Sequence, residues 1–121
     1  MERVVCQINN TIVFCLDEPG AGGACHKYAI ESVQKQPDNT PIARLGFVEF
    51  QNGPILEAGI NGVQNEDLLA IVIDRLEGFQ SGQYACRDNA IALTKCQEAL
   101  LWLQKRTRDR QARGVEGTNT V

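Results

Sequence analysis

The chain has 121 residues, 43% of them apolar, and a formal net charge of −3. That length and apolar content point to one domain, residues 1–121, with a modest core, and the negative total excludes a uniformly basic nucleic-acid coat. No apolar run approaches the ~20 residues of a membrane-spanning helix, and Met1-Glu2-Arg3-Val4-Val5 leads into polar residues instead of the apolar stretch of a signal peptide.

The charge is unevenly placed. Five of the twelve basic residues (Lys105, Arg106, Arg108, Arg110 and Arg113) fall within nine positions, so with Asp109 that segment carries +4 and the remainder −7. A local basic site on an acidic protein suits a small anion or a short contact better than a long phosphate track. The five cysteines, Cys6, Cys15, Cys25, Cys86 and Cys96, are odd in number and irregular in spacing, which fits reduced thiols in a cytosolic protein.

Residues 3–8 and 11–16 are rich in Val, Ile, Phe and Cys, with Asn9-Asn10 between them, and predict a β-hairpin. Asp17-Glu18-Pro19-Gly20-Ala21-Gly22-Gly23 has the composition of an inter-strand loop. It lacks the Gly-Lys-Ser/Thr ending and the following helix of a phosphate-binding loop. Residues 26–34 predict a strand, Gln36 to Pro41 a turn, and residues 43–50 another strand, with Leu45 and Phe47 on one face and Arg44, Val48 and Phe50 on the other. Asn52-Gly53 is a hairpin-turn dipeptide, and residues 54–59 read as a short returning strand.

The second half reads as helical. Asn65 is placed to cap a helix over residues 66–80, with Glu66 and Asp67 at its positive end. Leu68, Leu69, Ile71, Val72, Ile73, Leu76 and Phe79 are too many for one stripe, so this helix must be covered on more than one side. Ser81-Gly82-Gln83-Tyr84-Ala85 forms the turn. A second helix over residues 87–112 repeats apolar residues at Leu93, Cys96, Leu100 and Leu103. Gly114 stops it, and residues 115–121 read as a tail that is mobile in isolation. The fold class is α+β: a small antiparallel sheet within residues 1–60, then a helical hairpin over 65–114.

Nothing in the pattern asks for catalysis. Cys25 and His26 are neighbours on a strand entry, where side chains point to opposite faces, so they make a poor nucleophile pair. Together with another cysteine they could ligate zinc, but no C-x-x-C pair supports that, and the expectation is no catalytic residue, no metal and no cofactor. Arg106 and Arg110, four apart, share a helix face. They suit a pyrophosphate clamp, while helix physics alone favours a solvated basic end; Lys105 and Arg108 are expected to point elsewhere. The hairpin brings Phe79, a base-stacking surface, near Asn89, whose amide can read a base edge; the plainer alternative is a core cap and a helix cap. Asn89 and Arg106 are about 25 Å apart at 1.5 Å per residue. If both serve one small ligand, two chains must meet antiparallel and the pocket lies at their interface.

Several stretches of this half carry a resemblance. They are Asn52-Gly53-Pro54-Ile55, Glu66 through Leu76, Gly78-Phe79-Gln80-Ser81-Gly82, Asn89-Ala90, Leu93-Thr94-Lys95, Glu98-Ala99-Leu100, Trp102-Leu103, and Lys105 through Arg110 with Arg113 through Thr118. Over residues 43–118 the sequence resembles the phage anti-defence cyclic-nucleotide sponges that defeat Thoeris and, in relatives, CBASS immunity. The resemblance implies a non-enzymatic protein of the infected host's cytoplasm that binds a cyclic ADP-ribose isomer made by a TIR-domain enzyme and holds it intact. It also implies a homo-oligomer, a dimer or a hexamer built from dimers, with a further site for CBASS cyclic oligonucleotides in some relatives. Its ligand residues map onto Phe79, Asn89, Arg106 and Arg110, and Arg44 is the arginine of the sheet region nearest to that role. The alternatives, from composition and pattern, are a small nucleic-acid-binding module using the basic helix end, a hydrolase of the signal, or a helical-hairpin adaptor. The first is disfavoured by the acidic remainder, so no DNA or RNA partner is expected.

Overall fold

Asn9 and Asn10 turn the chain as their type allows: Asn9 takes φ 50°, a left-handed conformation that asparagine tolerates better than most residues. The Val- and Ile-rich runs on either side become β1 (Arg3–Ile8) and β2 (Thr11–Cys15), paired antiparallel with Ile8 opposite Thr11 and a register shift between Val4 and Cys6. The computed structural model describes residues 2–33 and 44–121. β3 (Lys27–Ser32) and β4 (Arg44–Glu49) continue an antiparallel meander in the order β1-β2-β3-β4. The predicted turn from Gln36 to Pro41, and the Gln34 and Ala43 ends of two predicted strands, lie outside the described residues.

Register partners share a face. Cys15, Tyr28 and Val48 line one side, and Phe14, Ala29 and Phe47 the other. Cys15 and Ala29 are fully buried, and Tyr28 meets Phe50 edge to face with ring centroids 5.7 Å apart, an arrangement that suits the ring quadrupoles. Arg44, at the start of β4, is paired with Glu31 across the sheet at 3.0 Å.

The returning strand expected over residues 54–59 is instead a single helical turn, α1 (Ile55–Ala58). Pro54 sets a helix-compatible φ just before it, and Gly53 and Gly59, at φ +89° and +73°, bend the chain in and out. The Asn52-Gly53 pair therefore opens a braced loop and not a hairpin. Asn52 N donates to Asn61 Oδ1 at 2.8 Å, Asn61 Nδ2 donates back to Asn52 O at 2.7 Å, and Gln51 Nε2 donates to Gly59 O at 2.7 Å.

The chain divides into two compact units, Met1–Gly53 with Ala58–Gly62, and Pro54–Glu57 with Val63–Val121. In the second unit, α2 (Asn65–Gln80) packs against α3 (Arg87–Ala112). The cap of α2 is Gln64, one residue before the Asn65 expected, because Gln64 and Asp67 form a reciprocal capping box with Gln64 N donating to Asp67 Oδ2 at 2.8 Å. Leu68, Leu69 and Leu76 of α2 and the predicted Leu93, Cys96, Leu100 and Leu103 row of α3 are half-buried, and Ile73 is buried. Ile71, Val72, Leu101 and Trp102 stay exposed. No helix among the described residues is long and apolar enough to cross a membrane.

The tail lies against the rest of its unit. Gly114 at φ +73° ends α3, and the chain then folds back, with Leu56 N donating to Gly117 O at 3.2 Å. Gly117 sits at φ +80°, and a Cβ there would lie 3.0 Å from Leu56 Cγ.

Candidate ligand-binding site

The four residues singled out in the sequence occupy the two ends of the hairpin. At the turn end, Gln80 holds the connection closed: its Nε2 donates to Cys86 O at 3.1 Å and its Oε1 accepts from Cys86 N at 3.0 Å. The turn carries Tyr84 against Phe79, ring centroids 6.3 Å apart at 90°. The Arg75 guanidinium lies 5.5 Å from the centre of the Phe79 ring, a cation–π contact from one turn back on α2. Phe79 remains 38% exposed beside that cation.

Cys86 caps α3, its Sγ accepting from Asn89 N at 3.4 Å. The cap role that asparagine might have taken thus falls to a thiol. The Asn89 side chain is half-buried and makes no hydrogen bond among the described residues. An amide held near a surface without a partner has both its donors and its acceptor to offer.

At the other end, the last turns of α3 line a groove of about 300 Å³ formed by Trp102, Lys105, Arg106, Asp109, Arg110, Arg113 and Val121. Trp102 is 70% exposed and precedes Arg106 by one helical turn. Lys105 reaches Asp109 at 2.6 Å; it lines the groove, contrary to the sequence expectation that it points elsewhere. Arg106 is exposed and has no ion-pair or hydrogen-bond partner among the described residues.

Arg110 behaves differently. It is only 8% exposed and is the anchor of the tail. Its Nη1 donates to Thr120 O at 2.6 Å, its Nη2 donates to Val115 O at 2.9 Å and Thr118 O at 3.1 Å, and its Nε lies 3.4 Å from Glu116 Oε2. Arg113 donates to Val121 O at 2.6 Å. A guanidinium offers five N–H donors in a fixed fork, and here the fork is filled by main-chain carbonyls. Sequence spacing put Arg106 and Arg110 on one face; it carried no signal for the carbonyls that follow Gly114. Trp102 was legible only as part of a flanking apolar stripe, and its one-turn spacing from Arg106 is the signal that could have marked it.

The structure therefore brings Phe79 together with Tyr84 and Arg75, and Arg106 together with Trp102, Lys105 and Arg113, but leaves the two groups at opposite ends of α3. Each is an aromatic surface beside positive charge, chemistry suited to a nucleobase and a phosphate respectively.

Residues 46–108 match the family model described as Acb2/Tad1, hairpin domain. Over 100 residues the chain is 58% identical to "Thoeris anti-defense 1" of Bacillus phage SBSphiJ7, an alignment that covers 83% of this chain and 65% of that protein. The chain thus spans just under two thirds of that relative's length. Phe79, Asn89 and Arg106 fall within the matched stretch of the hairpin, whereas Arg110 and the tail lie beyond it.

Proposed function

The chain belongs to the Acb2/Tad1 hairpin family, and we propose on that premise that it is a phage anti-defence protein acting in the infected cell's cytoplasm. In this reading it is a non-enzymatic sponge. It binds a cyclic ADP-ribose isomer, withholds it from the Thoeris effector and releases it unaltered when unfolded. The observation that carries the reading is Arg106, an exposed guanidinium without a partner among the described residues, in a groove shared with Trp102, Lys105 and Arg113. A cation left unpaired beside an aromatic is what a diphosphate linked to a purine requires.

Phe79 and Asn89 enter the same site only from a second chain, because the length of α3 separates them from Arg106 by about 25 Å at 1.5 Å per residue. The antiparallel pairing of two hairpins would bury Ile71, Val72, Leu101 and Trp102, which are 58%, 43%, 60% and 70% exposed in the single chain. That exposure supports a homo-oligomer of paired hairpins. The name of the phage relative supports Thoeris as the pathway opposed.

The decisive test is calorimetry with a cyclic ADP-ribose isomer on the wild-type chain and on Arg106→Ala. Arg106→Ala should weaken binding at least about tenfold, the lower end of what one charged hydrogen bond contributes, with unchanged thermal unfolding. Unaltered affinity would sink the assignment. Replacing Arg110 in the same variant would confuse the result, since its loss also frees the tail. Mass spectrometry of the ligand released on denaturation should recover it uncleaved; a hydrolysed product would identify an enzyme.

A further inference from the structure

Among the described residues, a cluster of metal-ligating side chains lies far along the sequence from these, at the neck of the loop between β2 and β3. Cys15 ends β2 and is fully buried. The loop leaves through Asp17 and returns through Cys25 and His26, and its neck is closed by Leu16 N donating to Lys27 O at 2.9 Å. One donor atom each from Cys15, Asp17 and Cys25 lie within 4.8 Å of one another. A tetrahedral zinc site with bonds of about 2.3 Å to sulfur and 2.0–2.2 Å to carboxylate oxygen separates its donors by roughly 3.5–3.8 Å. The side chains thus need only a small contraction to surround an ion.

From this arrangement we propose that Cys15, Cys25 and Asp17 form a zinc site, with a water in the fourth position, that ties the neck of the β2–β3 loop.

The surroundings fit the charge and the lone pairs. Zinc with two thiolates and a carboxylate carries −1, and the Arg3 guanidinium, whose Nη2 lies 4.0 Å from Cys25 Sγ, balances it. Asp17 is held in place by main-chain donors: its Oδ1 accepts from His26 N and Lys27 N, and its Oδ2 from His26 N, all at 3.1 Å. A carboxylate has about four lone-pair positions, and Cys15 Sγ already lies 3.8 Å from Asp17 Oδ1, so a metal that displaces the thiol proton finds a place on the carboxylate. The His26 ring lies beside the carboxylate, Nδ1 3.7 Å from Asp17 Oδ2. The loop closes tightly over that ring: a Cβ on Gly20 would lie 2.7 Å from His26 Cε1.

The sequence admits Cys25, His26 and another cysteine as zinc ligands but offers no C-x-x-C pair in their support. The ligands are spaced as Cys15-x-Asp17 and Cys25, and the β2–β3 pairing, not sequence proximity, joins them.

The test is equilibrium dialysis of the full chain against zinc chloride, with a phosphine reductant that leaves metals free, followed by quantification of retained metal. The expected result is one zinc per chain, a thiolate-to-metal charge-transfer band on cobalt substitution, and iodoacetamide labelling of Cys25 slowed at least about tenfold by zinc. The exposed Cys6 and Cys86 should label at unchanged rates. Cys25→Ser, at a half-exposed position that tolerates the change, should lose the metal, and Cys96→Ser should keep it. Retention no greater in the wild-type chain than in Cys25→Ser overturns the proposal. So does labelling of Cys25 that zinc leaves unchanged.

Discussion

The two ends of the α2–α3 hairpin solve the same problem in different ways. At the turn end, the ring contacts of Phe79, the cap on Asn89 and the closure of the turn come from residues within a few positions: Arg75, Gln80, Tyr84 and Cys86. At the far end, two arginines one helical turn apart have opposite fates. Arg106 has no partner among the described residues, and Arg110 is buried under the chain that follows it. Helical spacing says which residues share a face; it does not say which of them the protein keeps for itself. Burial and saturation of donors make that distinction, and stability measurements should expose it.

The largest effect is expected at Arg110. Arg110→Ala leaves the Glu116 carboxylate and the carbonyls of Thr118 and Thr120 without their partner, while Val115 O keeps the Thr118 amide and hydroxyl. Removing one member of a buried charged network costs about 2–5 kcal/mol, so the urea midpoint should fall clearly and the tail become sensitive to protease. Arg106→Ala touches no such partner and should stay within ~0.5 kcal/mol of wild type. Equal destabilisation by the two variants would erase the contrast between them.

A middle-sized effect is expected at the turn end. Phe79→Ala removes the edge contact with Tyr84 and the Arg75 cation–π contact, each about 0.5–1.5 kcal/mol in partly exposed settings. Denaturant unfolding should therefore shift by about 1–2 kcal/mol. A Phe79/Tyr84 double-mutant cycle should return a coupling of ~0.5–1 kcal/mol. Additivity of the two substitutions would mean that the rings are neighbours without interacting.

What could be read in advance follows from the range of the forces involved. The limits of α3, the half-buried Leu93, Cys96, Leu100 and Leu103 row, and the Asn9-Asn10 hairpin rest on local periodicity and turn chemistry, and all three stand in the structure. α1 was misread because Ile55 and Leu56 suit either a strand or a helix, and a bracing partner nine residues on, Asn61, decides how the loop closes. The fold of the tail was invisible for a stronger reason. Its carbonyls are generic main-chain acceptors, and only the position of Arg110 in space selects them. Phe79, Asn89 and Arg106 could be named from the sequence, but the aromatic companions Tyr84 and Trp102 emerge only once the turn and the groove are built.

The smallest expected effect tests whether the turn end is held by local hydrogen bonding. Cys86 caps α3 through a thiol, a weak acceptor, at 3.4 Å from Asn89 N. Serine supplies a stronger oxygen acceptor at the same position, and because Cys86 is exposed, no buried apolar volume is lost. Cys86→Ser should therefore raise stability by up to about 0.5 kcal/mol, read as a small rise in the thermal midpoint. It should leave ligand affinity unchanged, since the cap uses the backbone of Asn89 and not its carboxamide. A loss of stability would show that the thiol acts through packing, and the turn end would then resemble the buried Arg110 end more closely than its exposed hydrogen bonds suggest.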